Sequence, residues 1–205
     1  MRTRVLRSVL VALLPLTTAC GYNTIQQLDE QATAAQRSIE VQLQRRADLV
    51  PNLVNTVKGY AAHEEAIFTN VANARARLSG AITSGDAAEM ANANAGLTSA
   101  LGRLLAIQEN YPALKADRNF LQLQDELTGT ENRIATSRND FNEAVRQYNT
   151  YIRQFPAVIT AKVTGAKERK GFEVTDASAR EVPTVDFGKT APTPPAPPAT
   201  PTKSP

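Results

Sequence analysis

Apolar residues recur at spacings of three and four along most of the chain, which predicts long amphipathic helices. The pattern gives a first helix over about 23–50, a second over 51–79, a third that begins at Asp86, and a fourth over about 113–153. The inner side of the fourth helix is expected to carry Phe120, Leu123, Leu127, Ile134, Phe141, Val145, Tyr148 and Ile152. Because each stripe must be buried against another, we expect an all-α fold, an up-down bundle of about four long helices.

Proline and glycine positions set the expected helix ends. Pro51 lies inside the first apolar stripe, so the rod is expected to kink or restart near Val50–Pro51. Gly80 and the segment 83–85 are the first predicted breaks. Asp86 with Glu89 three places on is typical of a helix N-cap with its reciprocal glutamate.

The periodicity ends with the fourth helix, which Phe155-Pro156 is expected to close. Residues 157–189 mix glycines with a basic stretch and short β-compatible runs, and they are interpreted as an irregular segment. From residue 190 the chain is rich in proline and of low complexity, which is typical of an extended tail without a packable face. The helical bundle is therefore assigned to residues 20–156.

The amino terminus has the layout of a secretory signal, residues 1–19, followed by the single cysteine, Cys20. Three arginines precede an apolar run over 8–16, which is shorter than the ~20 residues of a membrane-spanning helix. The small residues before Cys20 resemble a bacterial lipobox, in which the cysteine is lipidated and becomes the first mature residue. An uncleaved single-pass anchor in the inner membrane is the alternative.

Charge and residue inventory exclude several functions. All of the net charge of +3 comes from Arg2, Arg4 and Arg7, since the chain from Cys20 onward carries 20 basic and 20 acidic residues. A neutral mature chain lacks the positive field that nucleic-acid binding requires. With one Cys and one His, neither a zinc site of Cys/His type nor a Cys–His dyad is expected. We predict no metal, no cofactor and no catalytic residue.

Several strings between Gly21 and Phe155 carry a family resemblance. They include Gly21-Tyr22-Asn23, the run from Val41 to Val54, Val57 to Ala61 with His63-Glu64, Asn73-Ala74-Arg75, Glu109 to Pro112, Phe141-Asn142 and Tyr148-Asn149. In order and spacing these resemble the LemA family of bacterial envelope proteins. The resemblance implies an all-helical domain attached to a membrane and facing outward from the cytoplasm, without an agreed biochemical activity.

Polar residues that fall on the apolar stripes are the candidate interaction residues. Arg46, on the first helix, and Glu131 and Arg138, on the fourth, interrupt their stripes. One interpretation is a buried network of Glu131 with Arg46 or Arg138 that fixes helix register. The other is that Glu131 and Arg138 flank a broad stripe and reach water through their long stems. Around Pro51, the further candidates for partner contacts are Arg45, Asp48, Asn52 and Lys58.

These features together predict a lipid-anchored envelope protein that acts as a scaffold or binding module for a protein partner. The alternatives are an enzyme or accessory of cell-wall metabolism, which would use carboxylates such as Glu64, Glu109 or Glu131, and a bundle that binds lipid itself. A cleaved lipobox implies export, so the bundle is expected to face the periplasm. Gly21 stands where an Asp would resemble an inner-membrane retention signal, which favours the outer membrane.

Overall fold

The computed structural model describes the backbone of residues 2–174 and the side chains of residues 21–174. Over that part of the chain it contains no strand and six helices: α1 (Arg2–Lys58), α2 (Glu65–Ser84), α3 (Ala87–Ala106), α4 (Pro112–Lys115), α5 (Arg118–Arg153) and α6 (Ala157–Thr164). A 3-10 turn, Ile107–Glu109, links α3 to α4. The predicted all-α class is confirmed. Cys20, the segment 1–19 and the tail 190–205 lie outside the described side chains.

The bundle is built from two helix pairs. α1 packs along α5 and α2 packs along α3, while α2 also contacts α1. The stripes predicted from the periodicity form the shared core, in which the largest fully buried side chains include Ile39, Leu43, Leu53, Leu78, Met90, Leu97, Leu104, Leu114, Phe120 and Phe141. Burial of these apolar stripes is the main source of stability, at about 1.5–3 kcal/mol for each fully buried large side chain.

The first helix continues through Pro51 and ends at Lys58, so the predicted restart at Val50–Pro51 is wrong. Proline has no backbone N–H, which leaves the carbonyl of Ala47 without its partner in the helix. Arg75 of α2 supplies that partner, because its Nε donates to the Ala47 carbonyl at 2.8 Å. The helix therefore tolerates Pro51 at a point where a neighbouring helix replaces the missing hydrogen bond.

The break between α1 and α2 lies at residues 59–64, and Gly80 is inside α2 instead of ending it. The turn before α3 matches its prediction more closely. Gly85 has a φ of 71°, the left-handed conformation that favours glycine, and Asp86 caps α3 by accepting from the backbone N–H of Ala88 and Glu89. Glu89 accepts from the Ser84 hydroxyl at 2.7 Å, so the reciprocal half of the predicted cap is made with a different residue.

The segment predicted to be irregular begins with α6 and continues as a stretch without regular secondary structure, residues 166–174, that we call the strap. Two asparagines of α5, seven residues apart, hold its backbone. Asn149 accepts from the N–H of Arg169 and donates to its carbonyl, and Asn142 does the same for Phe172. The Phe172 ring is buried in the main core, so the strap is an integral part of the bundle. Residues 175–189 lie outside the described part of the chain.

Candidate functional site

A buried polar cluster joins three helices in the middle of the bundle. Arg46 Nη1, on α1, lies 2.5 Å from Oε2 of Glu131 on α5 and donates to Oδ1 of Asn94 on α3, also at 2.5 Å. The Arg46 side chain is 5% exposed and that of Glu131 is 45% exposed. The short contact with Glu131 is an ion pair between a buried guanidinium and a half-exposed carboxylate.

Burial and the neighbouring carboxylate have opposite effects on the charge of Arg46. Burial lowers the pKa of the Arg46 guanidinium, and the carboxylate of Glu131 counters that effect. Arginine nevertheless stays protonated in proteins, so a full positive charge sits inside the bundle. Arg46 Nε has no hydrogen-bond partner in the described structure, and neither does Oε1 of Gln42, one helical turn earlier. The cluster can hold three helices in register, but it offers no group arranged for chemistry.

The other predicted interaction residues lie apart from this cluster. Arg45, Asp48 and Asn52 are exposed on α1, where the Asp48 carboxylate accepts from Gln44. Arg138 is exposed on α5 and lines a shallow groove beside Phe172, so it is not one of the groups that contact Arg46. Of the candidate residues, the structure brings Arg46 and Glu131 together.

A groove of about 660 Å³ runs between α1 and α2 beside Pro51. Apolar and charged side chains both line it: Val50, Val54, Phe68 and Ala72 are apolar, and Lys58, Glu65 and Arg75 are charged. Lys58 Nζ lies 5.3 Å from the centroid of the Phe68 ring, within cation–π distance. A lining of this kind suits a short segment that carries both apolar and charged side chains.

Sequence reasoning placed partner contacts near Pro51 but missed the α2 side of this groove. Phe68 and Arg75 belong to it because the turn at 59–64 folds α2 back along α1. The signal that could have found Arg75 is the unpaired Ala47 carbonyl that Pro51 creates, which requires a donor from another helix.

Metal and cell-wall chemistry find little support in the geometry. Among the described residues, no three His, Cys, Asp or Glu side chains are grouped closely enough to hold a metal ion, and His63 is exposed. The groove beside Pro51 has Glu65 as its acid, and the groove between α2 and α3 has Glu89. Neither contains two of Glu64, Glu109 and Glu131, the pairing that glycoside chemistry would need.

Over the part of the chain that the structure describes, no helix combines the length and the apolar character needed to cross a bilayer.

The fold and the groove define a long-helix bundle with a buried polar cluster and a surface cleft between its first two helices. The chain belongs to the LemA family, whose match covers residues 35–187. The predicted resemblance is thereby confirmed, and the match extends past the end of the described strap.

Three curated relatives are magnetosome proteins. Magnetosome proteins MamQ 1 and MamQ 2 of Paramagnetospirillum magneticum are each 31% identical to this chain over 177 residues. Magnetosome protein MamQ of Magnetospirillum gryphiswaldense is 31% identical over 174 residues. The aligned region covers 74% of this chain and spans 64% of the length of these relatives.

Proposed function

We propose that this LemA-family protein is a non-catalytic scaffold, tethered to a membrane of the cell envelope through lipidated Cys20, whose groove beside Pro51 binds a segment of a partner protein. The bundle faces the periplasm, and the outer membrane is the favoured site. The observation that carries the proposal is the groove itself, which apolar side chains of both helices line together with the charged Lys58, Glu65 and Arg75. Its volume lies within the range of sites that enclose a ligand or a short segment.

The arrangement of the groove supports binding in preference to catalysis. The charged groups that line it are Lys58, Glu65 and Arg75, and Arg75 is already engaged with the Ala47 carbonyl. Val54 is half-buried and Ala72 is exposed, so apolar surface on both helices is available to a partner. The magnetosome names of the relatives support a role in an assembly, because they assign those proteins to a structure and name no reaction.

Site-specific photo-crosslinking in cells tests the groove. A photoreactive residue at Thr69, which is exposed within the groove, is expected to form one defined adduct. Ala72→Trp should abolish that adduct by filling the groove. Ala76→Trp is the matched control, because Ala76 is exposed on the same helix and does not line the groove. An adduct that persists in Ala72→Trp, or forms equally from a probe at Thr136 on α5, would contradict the assignment.

The tether is tested separately. Mass spectrometry of the protein purified from membranes is expected to find a mature amino terminus at acylated Cys20, and Cys20→Ser should move the protein out of the membrane fraction. An intact segment 1–19 on the membrane-bound protein would overturn both the lipid anchor and the outer-membrane assignment. Separation of inner from outer membranes then tests the location.

A further inference from the structure

An exposed apolar stripe lies at the end of the bundle where α5 and α6 meet. Phe155, just before α6, is 82% exposed, while Ile159 and Val163 on α6 are 51% and 83% exposed. Ile159 and Val163 are four residues apart on α6, so they share one face of that helix, and Phe155 lies in the turn that leads into it. Large apolar side chains this exposed are normal when scattered singly, but a contiguous group of them marks a binding surface.

The opposite face of α6 fixes the stripe in place. Ala157, Thr160 and Ala161 are buried, and α6 packs on both α1 and α5. The contact with α1 is very close, because a Cβ added at Gly21 would lie 3.3 Å from Oγ1 of Thr160. The stripe is therefore held on a rigid support next to residue 21.

That position determines what can cover the stripe. Gly21 directly follows Cys20, and the apolar run 8–16 precedes it on the same helix, α1. Whether the chain is held by a lipid on Cys20 or by the apolar run, its point of attachment lies beside α6. A bilayer that receives the anchor is thus the surface nearest to Phe155, Ile159 and Val163.

The charges around the stripe fit a lipid surface. Lys162, next to Val163 on α6, and Lys167, three residues after the end of α6, are exposed. Arg153 is also exposed, and its guanidinium is paired with Glu168 at 3.6 Å. Basic residues that flank an apolar face are typical of helices that lie in the interface of a membrane containing anionic lipids.

We propose that α6 and Phe155 form a second, non-covalent membrane contact, in which Phe155, Ile159 and Val163 enter the interfacial layer and Lys162 and Lys167 contact anionic headgroups. This inference rests on the membrane tether proposed above. One tether leaves the bundle free to tilt, whereas a second contact beside it restricts the orientation of the long helices relative to the membrane.

The absence of tryptophan from the sequence makes the test direct, since a single introduced Trp reports on one position. Phe155→Trp and Val163→Trp variants of the full chain are purified from membranes and reconstituted into vesicles of phosphatidylcholine and phosphatidylglycerol, three to one, with and without brominated acyl chains. The Trp emission of both variants should be blue-shifted in the vesicles. Brominated acyl chains should quench most of its intensity. Replacing phosphatidylglycerol with phosphatidylcholine should weaken the quenching, and Lys162→Glu with Lys167→Glu should do the same.

Leu121→Trp is the matched control, because Leu121 is 43% exposed in the first turn of α5 at the opposite end of the bundle. That end is marked by the bond from the Tyr60 hydroxyl to Asp117, beyond the last turn of α1. The emission of Leu121→Trp should be insensitive to brominated lipid.

The outcomes separate the two proposals. Protein that floats with the vesicles while Phe155→Trp and Val163→Trp stay unquenched overturns the membrane contact and leaves the tether intact. Protein that does not float with the vesicles overturns the tether together with this inference. Emission that shifts only when an envelope protein fraction is added assigns the stripe to a protein partner and also overturns it.

Discussion

Arg46 in the middle of the bundle and Arg169 in the strap are both held by carboxylates, but their surroundings differ. Arg46 is nearly enclosed, and its Nε is unpaired. Arg169 is 27% exposed: Nε donates to Asp29 and Nη2 to Thr33, each at 2.8 Å, while the guanidinium lies 5.9 Å from the Tyr148 ring centroid. The same side chain thus has a cost of burial that is only partly compensated in one place, and it keeps partial exposure together with two hydrogen bonds in the other.

The difference shows what each arginine contributes. Bringing a charge out of water costs several kcal/mol, and an ion pair often recovers little more than that, so the Arg46 cluster is better suited to fixing helix register than to adding stability. Arg169 keeps part of its hydration and links the strap to α1. Its role is to attach the strap, which has no regular secondary structure of its own, to the bundle.

The largest expected effect comes from removing the anion beside Arg46. Glu131→Leu should lower the free energy of unfolding by about 3 kcal/mol, because a buried cation then loses its nearest compensating charge. Chemical denaturation measures the loss. Arg138→Ala, at an exposed position of the same helix, is the control and should change stability by less than about 0.5 kcal/mol.

The double variant Arg46→Met with Glu131→Leu sharpens this result. If the cluster serves register more than stability, the double variant should recover most of what Glu131→Leu loses, since neither charge remains to be desolvated. Losses that simply add in the double variant would show that the ion pair is a net source of stability.

A smaller effect is expected from Arg169→Ala. The variant loses hydrogen bonds to Asp29 and Thr33 but leaves both asparagine clamps on the strap backbone, so we expect a loss of about 1–2 kcal/mol, reduced by partial exposure. Hydrogen exchange should show faster exchange at Phe172, whose N–H is held by Asn142. Lys167→Ala, at an exposed strap position, is the control; equal exchange in the two variants would argue against a special role for Arg169.

The smallest effect concerns Asp86, the N-cap of α3, which feels the charge of Lys170 in the strap. Hydrogen bonds, first from the backbone N–H of Glu89 and then from that of Ala88, hold the pKa of the Asp86 carboxyl below its ordinary value of 3.8, and Lys170 adds to this. A lowered pKa means that the carboxylate stabilises the fold fully above 3.8 and loses this contribution as the pH falls through the lower folded value.

Asp86→Ala should therefore cost about 1 kcal/mol at neutral pH, the usual loss for an N-cap. The difference between wild type and variant should shrink in strong acid, as followed by thermal unfolding across pH. Asp140→Ala is the control, because Asp140 is exposed and lies far from both ends of α5. Its stability difference from wild type should not shrink in strong acid. A stability difference between wild type and Asp86→Ala that stays constant down to the lowest pH would contradict the role of the charged carboxylate.

The sequence predicted the helices wherever their ends depend on local chemistry. The periodic stripes and the cap at Asp86 are both properties of neighbouring residues. Pro51 was misjudged because its missing hydrogen bond is replaced by Arg75, which becomes a neighbour only after α2 has folded back. α6 was missed because its Val, Ile and Thr residues have modest helix propensity, and its formation depends on packing against α1 and α5.

The residues of the candidate site also fall into those that local sequence signals identify and those that depend on how the helices pack. Arg46 and Glu131 were identifiable because each interrupts an apolar stripe. Asn94 was not, since its contact with Arg46 depends on the rotation of α3 about its own axis. The α2 wall of the groove depends in turn on the position of the turn at 59–64, which no local signal specified.

The uninterrupted length of α1 has a geometrical consequence for the partner. Gly21 and Pro51 are thirty residues apart on one helix, and a rise of 1.5 Å per residue separates them by about 45 Å. In the attached arrangement proposed above, α1 acts as a spacer when the bundle stands upright. It then presents the groove well beyond the headgroups, within reach of a water-soluble domain and out of reach of a segment buried in the bilayer.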